Sequence, residues 1–542
     1  MNTSFRQALL FVALALPALA QTRNVIVLPA GPPSDLVNRN ATILNSDTMT
    51  VIGTVAVAND AYNAFTLPNG TKSYVVGRGA SNTVTVLSNA SSGVTVLKSL
   101  DLPAGSTDAY LTPDGRRLLL VSLNESFLTI IETSNDTVLL RVPLTAPANS
   151  VVSNFESSRA FTSSPNGAVV TAVDLITNAA IGTLTVPSEI APLASGLGVA
   201  PNGFIYLSAV NRLFEIDPRL VQLTPGGAIV LTGSPGRPQF TPDGSRALMN
   251  NFTPIAGNSV AILADLTTRT VQTVTIPGLI INPLRVVSNN LAYGFATAGQ
   301  TLYNINLSPF TITPVATAGL PSPLTFRGFS GSNEAPQNRF FFVSSGNTVY
   351  RVDVATNLVT GTQALTNSSG IPVFQPLPSI APVANIFAFN QQQFVAISGT
   401  TLPLVIRAVD ANGLPVAGAP VTYSTTSNGV SFANPSIFTN SDGYAQTTAT
   451  VPSFQTSVNL VATVAGTNTQ VFTVNVGFNV GGGGGAGGSG KILVFDGNGQ
   501  IVFSQAPTPR PMRVRVVDGN GNPVATATVR WTITAGNGTL AT

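Results

Sequence analysis

One turn-and-strand pattern that keeps returning between residues 24 and 383 constrains this chain more than any other feature. Its fullest copies are Thr112-Pro113-Asp114-Gly115-Arg116-Arg117 before LLLVS and Thr241-Pro242-Asp243-Gly244-Ser245-Arg246 before ALMN. Shorter copies read Leu67-Pro68-Asn69-Gly70-Thr71-Lys72 before SYVVG and Ala200-Pro201-Asn202-Gly203 before FIYLS. The chemistry is that of a hairpin: Pro presets φ, Asp or Asn bonds back to the local backbone, and Gly takes positive φ without a Cβ clash. The strands that follow these turns centre near Ile26, Val75, Leu119, Ala160, Ile205, Ala247, Ala292 and Phe341, at separations of 49, 44, 41, 45, 42, 45 and 49 residues. That spacing accommodates a four-stranded unit, whose later strands alternate apolar and polar residues, as in Thr83-Val84-Thr85-Val86-Leu87. One such sheet cannot bury both faces alone. Stacking sheets around an axis buries them, and closing the ring removes long edges.

The count follows from the ends. Residues 24 to 58 supply all but the innermost strand of one unit, and Ile371 to Leu377 can return to supply it, which makes eight. Seven would follow if residues 24 to 58 only augmented the last sheet; eight is favoured. Pro113-Asp114-Gly115 and Asn347-Thr348-Val349-Tyr350-Arg351-Val352-Asp353 resemble the YVTN-type β-propeller repeats of bacterial and archaeal surface proteins. The resemblance covers about two thirds of the chain and implies a fold, not an activity. The turns around Asn154 to Ser158, Ser288 to Asn290 and Ser332 to Asn338 lack Pro-Asp-Gly.

Beyond residue 384 the pattern changes. Pro403 to Asp410 alternates as a strand, Ala411-Asn412-Gly413 supplies a tight turn, and Pro415 to Tyr423 begins the next strand. These residues, with Thr439-Asn440-Ser441-Asp442-Gly443-Tyr444-Ala445, resemble the bacterial Ig-like domain of invasin and intimin type. The motif returns at an offset of 108: Asp410, Asn412, Gly413, Pro415, Val416, Ala417 and Val421 correspond to Asp518, Asn520, Gly521, Pro523, Val524, Ala525 and Val529. Gly481 to Gly490 lies between the copies as a flexible tether. The second copy stops at Thr542, before the equivalent of residues 435 to 477, and is expected to be incomplete. The expected organisation is therefore all-β: signal peptide 1–20, propeller 21–383, Ig-like sandwich 384–477, linker 478–490 and partial second module 491–542.

Export is read from the N-terminus. Arg6 gives the positive end, Ala8 to Leu16 the apolar core and Ala18-Leu19-Ala20 the cleavage signal, so mature chain begins near Gln21. The uninterrupted apolar stretch from Ala8 to Ala20 has 13 residues, too short to span a bilayer, and no membrane span is expected in the mature chain. Charged residues are only 9% of the chain. Removing Arg6 from 25 basic residues leaves 24 against 22 acidic, or +2, without the Lys/Arg clusters that a phosphate backbone requires. Nucleic acid is not an expected partner.

The chain has neither His nor Cys, which excludes Ser-His-Asp triads, Cys-His dyads, disulfides and histidine or thiolate zinc sites. Carboxylate chemistry remains open through Asp108, Asp114, Glu125, Asp174, Glu189, Glu215, Asp217, Asp243, Asp265 and Glu334, none with diagnostic spacing. The loops at Asp410, Asp496 and Asp518 begin like calcium loops but lack the remaining ligands, and are read as hairpin turns. No catalytic, cofactor or metal residue is assigned, and calcium is the one ion kept in view. Arg39, Arg78, Arg116, Arg117, Arg212 and Arg237 are candidates to line a loop-built face. The expected role is that of an exported, noncatalytic binding or adhesion protein, whose propeller meets a protein or glycan while the Ig-like modules act as spacers. The alternatives are a propeller hydrolase of lactonase type, using carboxylates and a divalent cation, and a structural component of a surface layer.

Overall fold

The structure is a computed structural model. It describes residues 24–477 apart from short segments, chiefly 30–38, 187–193, 279–283, 297–300, 316–319, 321–325, 330–339, 375–382, 389–392, 398–400, 411–415 and 452–456, and it adds strands at 491–496 and 513–517. The N-terminal leader, the Gly-rich linker, Glu189, Glu334 and most of the second module lie outside the described residues. Every described regular element is a strand.

Eight four-stranded antiparallel sheets account for residues 24–374. The first is mixed. It joins β1 (Asn24–Pro29), β2 (Asn40–Asn45) and β3 (Val51–Ala56) to β32 (Ser369–Phe374), in the order β3-β2-β1-β32. The returning strand runs from 369 to 374, somewhat earlier than the 371–377 read from sequence, with Ile26 opposite Val373.

The other seven sheets take their strands consecutively. The second holds β4 (Ala61–Thr66), β5 (Lys72–Gly77), β6 (Thr83–Ala90) and β7 (Gly93–Asp101). The third holds β8 (Asp108–Leu111), β9 (Arg117–Ser122), β10 (Glu125–Glu132) and β11 (Thr137–Pro143). Next come β12 (Ser150–Ser153) to β15 (Ala179–Thr185), β16 (Ala194–Val199) to β19 (Gln222–Val230), and β20 (Gln239–Phe240) to β23 (Val271–Ile276). The seventh and eighth are β24 (Arg285–Val286) to β27 (Phe310–Pro314) and β28 (Phe326–Phe329) to β31 (Leu358–Ala364).

Why these segments are strands shows best in β9, where Leu118 to Val121 are all buried. A strand's side chains alternate between its two faces, and here each face meets a neighbouring sheet. Leu118 and Leu120 enter the core shared with the second sheet, while Leu119 and Val121 enter the core shared with the fourth. The same division repeats around the ring, giving one apolar core between each adjacent pair of sheets, including the eighth and the first. The ring is thus closed, and the fold is a β-propeller. Burying one such Leu contributes about 2 kcal/mol, so a run of four buried residues outweighs any single turn.

Turns at the end where the first strand of each sheet finishes, here called the lower end, explain the repeat motif. Thr112 Oγ1 donates to Asp114 Oδ1 at 2.6 Å, Arg116 N–H donates to the same oxygen at 3.0 Å, and Gly115 takes φ 71°. Asp243 and Gly244 repeat this arrangement. Where Pro-Asp-Gly is missing, Asn154 substitutes: its Oδ1 accepts from Ser158 and Arg159 N–H while Ser157 takes φ 50°. A second recurring turn joins the third and fourth strands. A residue at or next to its end takes positive φ at Met49, Asp136, Asn178, Val221, Arg269 and Asn357.

Residues 385–477 form two sheets around a shared core that includes Leu404, Ile406, Tyr423, Leu460 and Phe472. One sheet contains β33 (Asn385–Ala388), β35 (Thr401–Val409), β39 (Tyr444–Thr450) and β37 (Ser431–Phe432). The other contains β34 (Gln393–Ile397), β41 (Gln470–Gly477), β40 (Ser457–Thr463), β36 (Pro420–Thr425) and β38 (Ser436–Phe438).

This sandwich contacts the lower end of the ring. Tyr444 and Val405 sit on the side of β39 and β35 opposite the core, yet they are 1% and 2% exposed. Phe155 stacks on Tyr444 at 4.3 Å, and the Tyr444 hydroxyl donates to the Pro201 carbonyl at 2.7 Å. A module expected to act purely as a spacer is therefore anchored to the fourth and fifth sheets. Farther on, β42 (Lys491–Asp496) pairs with β43 (Arg513–Val517), as β33 pairs with β35.

Candidate functional site

Strand direction assigns each candidate residue to an end of the ring. The first strand of a sheet begins, and the second ends, at the upper end. Asp108 opposite Val121 and Ala61 opposite Gly77 mark that end in the third and second sheets. Arg39, Arg78, Arg212 and Arg237 flank strand ends there, whereas Arg116 and Arg117 belong to the lower end. The six arginines do not share one face.

At the lower end the basic residues serve as staples between sheets. Lys72 Nζ donates to Asp136 at 2.9 Å and to the Thr133 carbonyl at 2.6 Å, and the Tyr74 hydroxyl reaches the same carboxylate. Burial and that neighbouring carboxylate push the Tyr74 phenol far up, so it remains a donor. Arg117 bridges to the Leu175 carbonyl and Asn178, Arg159 to the Pro218 carbonyl at 2.7 Å, and Arg246 to the Leu307 carbonyl at 2.7 Å. In each case the first residue of a second strand holds the outer turn of the following sheet.

The candidate carboxylates are engaged internally. Asp114 and Asp243 close their turns, and Asp174 and Asp265 accept two backbone N–H groups each at 2.7 to 2.9 Å. Glu125 pairs with Arg141. Glu215 accepts the Tyr206 hydroxyl at 2.6 Å and lies 3.7 Å from Arg269, and the Asp217 carbonyl closes the turn to Val221. Among the described residues no group of three or more His, Cys, Asp or Glu is gathered as a metal site would require. Asp410 follows β35, and the remainder of its loop, like the loops after Asp496 and Asp518, lies outside the described residues.

The upper mouth of the channel differs. Asp108 opens β8 of the third sheet, and Arg237 precedes β20 of the sixth by two residues. Their pairings give them the same place in the repeat: Asp108 is opposite Val121, and Gly236 N–H next to Arg237 bonds the Asn250 carbonyl, each the fifth residue of its second strand. Arg237 Nη1 meets Asp108 Oδ2 at 3.0 Å across the axis, and Val151 N–H donates to the same oxygen at 3.0 Å. Ser150 and Gly196 hold this place in the intervening sheets. Gly196 leaves room for the Arg237 stem, whose Cγ would lie 3.3 Å from any Cβ there.

Beside the pair, the Tyr62 hydroxyl lies 3.2 Å from Ser106 Oγ, which donates to the Asp108 carbonyl at 2.8 Å. Arg78 lies over the Tyr62 ring at 4.6 Å, and its N–H donates to the Asp60 carbonyl at 3.0 Å. Burial and the Asp108 charge raise the Tyr62 phenol well above its usual range, against the opposing fields of Arg78 and Arg237. Desolvation also raises the Asp60 carboxyl, with Arg78 opposing. Sequence reading named Asp108, Arg78 and Arg237 separately and missed Asp60, Tyr62 and Ser106. Superposing the repeats would have drawn attention to the rim position, which changes from carboxylate to hydroxyl to hydrogen to guanidinium across the third to sixth sheets.

No described helix is long and apolar enough to cross a membrane. No family model matches the chain, and no curated protein matches it in sequence. Solved structures similar to it include AztD from Citrobacter koseri, at 13% identity over 65% of this chain and 97% of that one, with a TM-score of 0.49. The dihydro-heme d1 dehydrogenase NirN in complex with DHE matches at 13% identity over 65% of this chain and 74% of its own, also at 0.49. Hydrazine synthase from Kuenenia stuttgartiensis matches at 12% identity over 50% of this chain and 90% of its own, with a TM-score of 0.40. Likeness at this level transfers no activity to this chain.

Proposed function

We propose that this is an exported, noncatalytic binding protein of adhesion type, in which a YVTN-type propeller recognises a protein or glycan through its upper mouth. In this reading the first Ig-like module is a fixed base on the lower end, and modules beyond the Gly-rich linker are spacers. One observation carries the proposal: equivalent rim positions that could have repeated instead diverge to Asp108, Ser150, Gly196 and Arg237, while at the lower end Asp114, Asn154 and Asp243 close their turns in the same way, by side-chain acceptance of backbone N–H groups. The carboxylates that metal-assisted hydrolysis would recruit are already held by arginines, hydroxyls and backbone N–H groups.

The test is binding of the full-length protein to bacterial cells, extracellular matrix and a polysaccharide panel, beside a variant with Arg78 and Arg237 both changed to Ala. Binding that falls at least tenfold in the variant, with unchanged circular dichroism, supports the reading. Binding to none of these surfaces, or chelator-sensitive lactone hydrolysis by the parent, overturns it.

A further inference from the structure

The Asp108–Arg237 pair is unequal in a way that bears on what the mouth takes. The Arg237 side chain is 34% exposed and Asp108 only 12%, so the cation is the accessible half. Asp108 is anchored independently by Val151 N–H and keeps its position whether or not Arg237 stays. Arg237 is tied to the site by this ion pair and by packing over Gly196. Arg78 presents a second guanidinium, on an exposed residue, with its Cζ 4.6 Å from the Tyr62 ring centroid. Desolvation raises the Asp60 carboxyl, the other carboxyl nearby, against the opposing field of Arg78.

We infer that the upper mouth binds a carboxylate-bearing glycan of uronic-acid type, with Arg78 and Arg237 as the carboxylate ligands and Asp108 as an internal competitor that the ligand displaces from Arg237. This rests on the recognition reading above and names its ligand class. Guanidinium groups bind carboxylates in planar, paired hydrogen bonds, and two of them at one mouth suit an acid-bearing ring. A glycan is favoured over an acidic peptide because protein partners are anchored by buried aromatic and aliphatic side chains. The aromatic ring here, Tyr62, already has its face covered by Arg78. What remains for a ligand is charge, since the Ser106 and Ser150 hydroxyls beside the pair are buried and already hydrogen-bonded.

The decisive feature is a difference in sign. If Asp108 competes with the ligand, Asp108→Asn frees Arg237 while still accepting the Val151 N–H, and affinity rises. If the pair is only structural, Asp108→Asn and Arg237→Ala weaken binding alike. The experiment titrates oligogalacturonate, and its methyl ester as the uncharged control, into the full-length protein and its Arg78→Ala, Arg237→Ala, Arg237→Lys and Asp108→Asn variants, each checked by thermal melting.

The expected result is preference for the acid over the ester and about tenfold weaker binding in each Ala variant, which corresponds to about 1.4 kcal/mol. Partial recovery in Arg237→Lys and several-fold tighter binding in Asp108→Asn complete the expectation. Equal affinity for acid and ester, or weakening by Asp108→Asn, overturns the ligand class and leaves the recognition reading standing if neutral glycans or cells are still bound. Absence of binding to any glycan, matrix or cell surface overturns both.

Discussion

The two ends of the ring are built from the same repeated unit and use it in opposite ways. At the lower end, equivalent positions do equivalent work: Lys72, Arg117, Arg159 and Arg246 each reach the outer turn of the next sheet. At the upper end, equivalent positions carry different groups, and two of them, Asp108 and Arg237, meet across the axis. Regularity at one end is what a closed ring demands, since every sheet must present the same edge to its neighbour. Divergence at the other is free to serve recognition, because loops carry function on a rigid scaffold; the sheet-to-sheet connections there still lend Leu102, Leu144 and Leu231 to the inter-sheet cores.

The comparison breaks if the scaffold tolerates what the mouth does not. The largest effect is expected for Ile26→Asp, which buries a charge at a fully enclosed position between the first and second sheets. It should remove about 4 kcal/mol or more and abolish a cooperative urea transition. Next comes Tyr444→Ala, which removes the stack on Phe155 and the bond to Pro201, at a cost of about 3 kcal/mol. Calorimetry should resolve the single transition of the parent into separate sandwich and propeller transitions, whereas Tyr444→Phe should lower the midpoint slightly without splitting it. A parent that already melts in two steps would show that the contact does not couple the domains.

Lys72→Met should cost about 1 to 2 kcal/mol in urea unfolding, because the Asp136 carboxylate loses its cation and keeps the Tyr74 hydroxyl. Arg78→Ala at the mouth should stay within about 0.5 kcal/mol, the range for surface positions outside cores and caps. Equal losses in these two variants would erase the distinction between the ends.

The smallest effect is expected for Asp60→Asn. The folded-state carboxyl titrates above the unfolded value of 3.8, so the folded chain holds this proton more tightly. The parent's stability therefore declines as pH rises through the folded-state pKa, and a constant penalty persists at neutral pH. Asn removes that penalty and tolerates the positive φ of 50° at this position. The variant should match the parent below the unfolded carboxyl value and exceed it slightly at neutral pH; a lower neutral stability would reverse the assigned sign.

Much of the scaffold was legible in the residues. The eight strand centres read from sequence fall on β1, β5, β9, β13, β17, β21, β25 and β29, the second strands of their sheets. They were legible because each is buried on both faces and several, as at β9 and β21, follow a turn with specific backbone chemistry, both of them local properties. The roles of Arg117 and Tyr444 were not legible. A guanidinium reads alike on a loop or on a neighbouring sheet's carbonyl, and Tyr444 looks like a core residue until its outward direction and its burial are seen together.

Sequence by itself determined the strand repeat, the unit of four strands, the change of pattern near residue 384 and the exclusion of His and Cys chemistry. These follow from side-chain period, turn residues and composition, which need no knowledge of distant contacts. Tertiary structure decided the pairing of Asp108 with Arg237, 129 residues apart, and the seating of Tyr444 on Phe155. The first depends on ring closure, which brings together residues from nonadjacent sheets, and the second on the docking of the sandwich against the lower end of the ring.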